Sequence, residues 1–565
     1  MMQEATIGLW FDQQEAERRW RYGLNVFEKY AGEVLEHAGL PHIMIGNSEQ
    51  LEALQPDVVL AVLIKDDADT KEAVSRYLSA GGTIIAFAGM NEFASLAGQV
   101  PYQRIENGYA SLDYKGEALL LRFAQAVIWA AAGTGAESAV TASLGVITEA
   151  RPEGKTAGTL VQTYAIGRGK LIHWAVDLWG TIVGMQQGRL PVTRDGLPAP
   201  DGSAEVNDGI LKADDQIAFD WQYDRQTTSS GVPYFHLPQA DLWKEVFINH
   251  LIRIIMESGK SLTILGYWPD GIQQVATISH DSDQNRDEHA WATLELLAEV
   301  DVRSTWCMLE PGYSPPIYDK VREAGHELAF HYNALALEGR HWDEADFQRQ
   351  LEWLRSVCGQ DTRILTNKNH YTRFEGFSEL FAWCEKYGIA VDQTRGPSKK
   401  GNVGFLFGTC HPYFPIAWST DHNRIYNVLE ISFLTQDLEL GHLADNQVIE
   451  PFLDGVKKVN GVAHFLYHQT HIHARESVRD SIRYLVAAAR SKGFEFWTSE
   501  QINDWERYRR SLLNTGTIKS SPANRDKVRA AGWQEVYWTP AGKNDIVEQE
   551  VFGIPCKKTV KTTAN

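Results

Sequence analysis

The stretch "QQVATISHDSD" (residues 273–283) decides how the second half of this chain is read. An apolar run enters a core as a strand, and two acids and a histidine follow at its end. Ionised carboxylates at the end of a buried strand are costly unless something there binds or pairs with them. Asp281 and Asp283 are therefore candidates for holding something. Asp and Ser after a strand are also ordinary turn formers, so the stretch needs support from elsewhere in the chain.

From there to about 510, short apolar runs alternate with helical periodicity. The strand candidates are "RSTWCML" (303–309), "HELAFH" (326–331), "TRILTNKNH" (362–370), "IAVDQT" (389–394), "GFLFGT" (404–409), "VLEISF" (428–433), "VAHFLYH" (462–468) and "FEFWT" (494–498). Helices are expected around 316–324, 343–357, 375–387, 446–459 and 475–492. Eight or so strands with interleaved helices imply a (β/α) barrel, complete or distorted. "TSEQ" (498–501) is a capping box opening the last helix.

Reactive residues of such a barrel sit at the carboxyl ends of its strands. Asp281 and Asp283 follow one apolar run, His331 follows "GHELAF", Asn369 and His370 follow "RILTNK", and His468 follows "VAHFLY". Acids and histidines at four strand ends are the residue types of a metal site with a general acid and base. Catalytic zinc takes three protein ligands and keeps one position for water. Two carboxylates one residue apart can divide the work, one ligating and the other taking the water's proton.

On these residues, roughly 270–510 resembles the polysaccharide deacetylase (NodB-homology) superfamily, carbohydrate esterase family 4 in the broad sense. The resemblance implies a distorted (β/α) barrel, a divalent ion (zinc) and removal of an N-acetyl group from a carbohydrate substrate. "HDSD" resembles the family's first motif, which would make Asp281 the base and Asp283 a metal ligand. "AGHELAFHYNA" (324–334) resembles its second, GHE-x-x-x-H, and would make His331 a ligand. "FLYHQTHI" (465–472) resembles its last and would make His468 the general acid. The family's second histidine falls four residues after the first, where this chain has Leu335. His370, in "NKNHYTRFEG" (367–376), is the candidate third ligand, and Arg373 would orient Asp281. Asn369, Tyr371, Glu430 and Tyr413 are candidate substrate contacts, Tyr413 within an aromatic pocket wall, "GFLFGTCHPYFP" (404–415).

Plainer readings stand beside these. His331 could be a core histidine, His370 structural or substrate-contacting, Glu430 a paired acid, and the aromatics plain core. His326 is read as packing or orienting, and His471 and His473 as solvated loop. Two rival functions are a metal-assisted glycosidase using Asp281 and Glu430 and a carbohydrate-binding protein with a degenerate site.

The first half alternates "ATIGLWF", "HIMI", "VVLAVLI" and "GGTIIAFAG" with helical segments at 14–38 and 69–80, and adds a hairpin around Gly167–Gly169. Strands separated by helices mean a parallel sheet with helices on its faces. This organisation resembles class I glutamine-amidotransferase-like domains of flavodoxin-like fold. Their nucleophilic cysteine sits in a Gly-rich turn after a strand. The turn here reads "AFAGMNEF" (86–93), and the first 300 residues hold no cysteine, so this part is expected to be non-catalytic. The expected division is 1–240, 241–512 for the barrel, and 513–565 as a small β appendage with a frayed tail. Residues 190–240 read as an irregular connector. "DLWKEVFINHLIRIIMESG" (241–259) reads as an amphipathic helix stopped by Gly259.

At 565 residues the chain needs two to four domains. Its net charge of −19 argues against nucleic acid or an anionic membrane as the main partner. The opening residues lack a secretory pattern, no apolar run spans a bilayer, and five scattered cysteines read as reduced thiols. A cytoplasmic protein, with homo-oligomerisation open, is the expectation.

Overall fold

Val58–Leu63 is apolar without alternation, the pattern of a parallel strand covered on both faces. In the structure, a computed structural model describing residues 3–132, 140–205, 209–359, 362–441, 443–513, 515 and 522–559, it lies inside a nine-stranded sheet. The strands are β1 (Ile7–Phe11), β2 (Ile43–Ile45), β3 (Val58–Leu63), β4 (Thr83–Phe87), β5 (Gln99–Tyr114), β6 (Glu117–Ala131), β7 (Val140–Glu149), β8 (Thr156–Ile166) and β9 (Gly169–Trp174). Their order is β2-β1-β3-β4-β9-β8-β7-β5-β6. The first five positions are parallel and the rest antiparallel. The expectation of a parallel N-terminal sheet is thus corrected on one side. Strands β5 to β7 give no continuous apolar run, because Gln, Glu, Arg and Ser alternate with their apolar residues, as suits a sheet with one wet face.

The second large sheet holds β10 (Gln274–Asp281), β11 (Thr305–Met308), β12 (Glu327–Tyr332), β13 (Thr366–Asn369), β14 (Val391–Asp392), β15 (Leu429–Glu430), β16 (Thr435–Gln436) and β17 (Val462–His468). All neighbours are parallel, in the order β15-β14-β13-β12-β11-β10-β17-β16. One run, 429–437, joins the two ends. Ile431 N donates to Asp392 O (2.9 Å) on one side, and Leu434 N donates to His464 O (2.9 Å) on the other. The sheet therefore curls into a distorted barrel whose last gap is crossed by a single segment. Phe494–Phe496 adds a short strand beside β10. The Thr498 capping box is present, and Glu327 accepts from Glu500 N at the same helix start, inside the barrel floor.

Three expectations are corrected by packing. "GFLFGT" is a loop, not a strand: Gly404 takes φ +98, and a Cβ there would meet Phe235 O at 2.2 Å. The helix Gln239–Glu257 is buried nearly all round instead of amphipathic, because it runs between the two sheets; Trp243 Nε1 donates to Arg122 O (2.8 Å), and Asp241 accepts from Cys410 N (2.8 Å). Gly259 follows it at φ +78. The expected frayed tail is partly ordered, since Ile554–Thr559 pairs with Tyr537–Pro540, which also pairs with Ile264–Leu265; residues 560–565 lie outside the described residues.

The stretch read as a connector is laced onto the barrel mouth. Val192 N donates to Gly376 O (2.7 Å), Phe374 N to Leu211 O (3.0 Å) and Ala204 N to Lys400 O (2.6 Å). Asp214 accepts from Ser398 N (3.1 Å). The five cysteines are buried and free. No described helix is long and apolar enough to cross a membrane.

Candidate metal centre

Strand β10 ends at Asp281, in register with Cys307 on one side and His468 on the other. Strand β12 carries His331, in register with Lys368 of β13. Parallel register thus brings side chains from 281, 331, 370 and 468 to one mouth. Asp283 turns back over it at φ +33. His370 opens a single helical turn in which Tyr371 (φ +58) and Thr372 (φ +52) are both left-handed, a conformation non-glycine residues adopt at a cost.

His331 Nδ1 donates to Lys368 O (2.9 Å), which leaves Nε2 with its lone pair facing the mouth. Nε2 lies 3.6 Å from Asp283 Oδ1 and 3.6 Å from Asp281 Oδ2. His370 Nε2 lies 3.8 Å from Asp283 Oδ1. Asp283 Oδ1 and His331 Nε2 are buried and have no hydrogen-bond partner among the described residues. One ligand-type atom from each of Asp283, His331 and His370 falls within 4.8 Å of the others. Ligand atoms around a tetrahedral zinc at 2.0–2.1 Å stand about 3.4 Å apart, so this trio fits a divalent ion. Burial and the neighbouring His331 push the His370 imidazole down to about 4, so it is neutral and able to ligate at neutral pH. Burial opposes the charge on Asp283, but His468, His331 and His370 outweigh it and hold the carboxyl well below its ordinary range.

His468 is built differently. Its backbone N donates to Asp437 Oδ1 (2.8 Å) and its Nδ1 hydrogen-bonds Asp437 Oδ2. Nε2 then points at Asp281 Oδ2 and Asp283 Oδ2, 3.8 Å from each. Burial disfavours the imidazolium, yet the carboxylates of Asp437, Asp283 and Asp281 push it up to about 10. The His468 ring is thus oriented by the Asp437 carboxylate. His471 lies within reach of the same pair.

A cavity of about 690 Å³ opens over these groups. Asp281, Asp283, His370, Tyr371, His468 and His471 line it, with Lys399 and Lys400 from the barrel segment after β14, and Gly202–Ala204 and Lys212 from the stretch that precedes the barrel.

No family model matches the sequence, and no curated protein matches it. Solved structures do align. One assigned as a polysaccharide deacetylase from Mycobacterium smegmatis is 16% identical, with a TM-score of 0.33 over 46% of this chain and 97% of that one. A peptidoglycan N-acetylglucosamine deacetylase is 14% identical, with a TM-score of 0.25 over 42% of this chain and 90% of that one. A β-galactosidase from Rahnella sp. R3 is 14% identical, with a TM-score of 0.24 over 31% and 29%. At these scores the likeness assigns nothing, and the side chains at the mouth have to carry any reading.

Asp281, Asp283, His331, His370 and His468 are brought together, and Tyr371 stands beside them, half exposed, with its ring 4.6 Å from that of His370. Four other candidates lie elsewhere. Arg373 does not orient Asp281; its guanidinium is held by the Ala334 carbonyl and Glu375. Asn369 is buried and ties the turn by donating to Arg373 O (2.8 Å). Glu430 is enclosed beside Asp392 and Arg395 below the mouth, where burial pushes its carboxyl well up. Tyr413 is buried and donates to Gln186 O (3.1 Å), so the aromatic segment is core and not pocket wall. Leu335 is buried in the loop after β12. His326 packs on Trp306 and accepts from Ser304 N (3.1 Å). The expected solvated loop after His468 is a helix, Gln469–Ala474, with His471 facing the cavity and His473 against His289.

Sequence reading missed Asp437, Lys368 and Cys307. Asp437 ends the run 429–437 as Asp281 ends β10, so the same strand-end rule could have found it. Lys368 gave a signal too, a lysine within the expected strand 362–370. Cys307 faces Asp281 across the register and could not be told from an ordinary core cysteine.

Proposed function

We propose that the chain is a metal-dependent hydrolase that removes an acyl group, N-acetyl in the first instance, from a sugar or polysaccharide-related amide. The observation that carries this is the convergence at one mouth of His370 with Asp283 Oδ1 and His331 Nε2, two buried atoms that have no hydrogen-bond partner among the described residues. Asp283, His331 and His370 would hold the ion. Zinc bound there would supply Lewis acidity, polarising the acyl carbonyl and lowering the pKa of water.

The remaining chemistry belongs to the chain. Asp281 Oδ2 takes a proton from the attacking water as its oxygen bonds to the acyl carbon. The C–N bond breaks, and His468 Nε2, charged through its contact with Asp437, gives a proton to the departing nitrogen. Tyr371 offers a ring at the rim for a sugar face. The glycosidase alternative needs Glu430 across the substrate from Asp281, and Glu430 does not line the cavity. Residues 1–240 act as a non-catalytic partner that walls the cavity through 202–204.

The test is zinc stoichiometry of the full chain together with acetate release from N,N′-diacetylchitobiose and 4-nitrophenyl acetate. Acetate without new reducing ends supports the proposal. New reducing ends without acetate, or a zinc-loaded chain inert on both probes, would sink it.

A further inference from the structure

Lys368 lies in "TNKN" on β13, and its side chain is fully enclosed in the barrel. A lysine buried this far needs an anionic partner, because desolvating a lone charge is costly. The ion-pair partner the structure gives it is Asp281, whose Oδ1 lies 3.5 Å from Nζ. Its other contacts are the Phe433 ring, 5.3 Å from Nζ, and Ser279 Oγ, to which it donates. The direction of that bond follows from its neighbours. His464 Nδ1 donates to Ile431 O (3.0 Å), so its Nε2 accepts from Ser279 Oγ (2.8 Å), and the Ser279 lone pairs are left for Lys368. The chain His464–Ser279–Lys368 therefore holds Nζ in place from below.

The two oxygens of Asp281 see different surroundings. Oδ1 points at Lys368 and has no hydrogen-bond partner within normal distance among the described residues. Oδ2 faces His331 Nε2 and His468 Nε2. Arg373 cannot take the same place, since its guanidinium is held at Ala334 and Glu375.

We infer that Lys368 is the positioning residue for the base: it draws Oδ1 of Asp281 into the barrel and leaves Oδ2 to take the proton at the mouth. This rests on the hydrolase reading above. What Lys368 supplies is orientation.

The experiment is a double-mutant cycle on the full zinc-loaded chain, with Lys368→Met, Asp281→Asn and the pair. Lys368→Met is expected to lower kcat about 10–100-fold, the usual cost of losing an outer-sphere partner, with KM and zinc stoichiometry unchanged. In the Asp281→Asn background it should lower kcat no further. Ser279→Ala, which removes only the brace, should give a smaller loss in the same direction. Multiplicative losses in the double mutant, or zinc lost along with rate, would overturn the inference. If the wild type hydrolyses neither probe, the functional reading fails and melting temperatures still decide the pairing. The double mutant should melt well above the value obtained by adding the two single shifts, and simple additivity would overturn the pairing.

Discussion

At the carboxyl ends of β4 and β9 in the first sheet, Ala88 stands at φ +52 and His173 donates Nε2 to its carbonyl (2.8 Å), with Trp129 stacked on the imidazole at 3.7 Å between centroids. At the carboxyl ends of β10, β12 and β13 in the barrel, Asp283 Oδ1 and His331 Nε2 stand 3.6 Å apart, each without a hydrogen-bond partner among the described residues. Both sheets deliver polar side chains to the ends of parallel strands. In the first, the chain itself consumes the histidine. In the second, His331 Nδ1 donates to Lys368 O and His468 Nδ1 to Asp437 Oδ2, which fixes the far side of each ring and leaves the near side facing the mouth. A site is therefore marked by which lone pairs remain, not by which residue types are present.

The largest expected effect tests that contrast directly. Asp283→Ala and His331→Ala should each abolish stoichiometric zinc and hydrolysis together, read by metal analysis and acetate release. Zinc retained at one per chain in either variant would break the comparison. Asp281→Asn should keep the metal and lose about 10²–10⁴-fold in rate, because it removes a base and not a ligand; equal metal loss would erase the division between the two acids. His370→Ala should weaken zinc affinity by more than the roughly 10–100-fold typical of losing an outer partner, and full occupancy at low zinc would show that another residue completes the site. Asp437→Asn should cost about 10–100-fold in rate with zinc unchanged, and an unaltered rate would remove His468 as an oriented acid.

The smallest effect lies in the first sheet. His173→Phe should leave zinc and rate within about twofold. It should also change the response to acid. Burial pushes the folded His173 down to about 3, so the unfolded chain takes up a proton that the folded chain refuses. Stability supplied by this neutral histidine is complete above the ordinary pKa near 6.5 and is lost as pH falls toward 3, by up to about 1.4 kcal/mol per pH unit. The variant lacks that loss, so its deficit relative to wild type should shrink over this window in urea unfolding curves. A deficit constant from pH 7 to pH 4 would contradict the buried, neutral assignment.

Much of the barrel was legible because apolar runs and helical periodicity are local signals: seven of the eight expected barrel strands and all five helices occur near their expected positions. "GFLFGT" failed because an apolar run packed against Phe235 looks the same as one in a sheet. Within the site, residues at the ends of expected strands were found, Asp437 excepted, and residues inside the barrel were not. Arg373 was the expected orienter of Asp281 because it lies in the stretch that resembles the family's third motif, three residues after His370. The cation that lies closer comes from a strand interior, where one-dimensional reading assigns no direction to a side chain.

The sequence by itself determined the alternation of strand and helix, and the acid and histidine types at four strand ends. Those follow from hydrophobic periodicity and from the cost of burying a charge, both readable within a dozen residues. Only the tertiary structure decided that the run 429–437 closes the barrel and brings Asp437 to His468, that Lys368 lies under Asp281, and that residues 202–204 wall the cavity. These pairings join residues tens to hundreds of positions apart. Parallel register and barrel curvature set them, and neither is written in any local stretch of the chain.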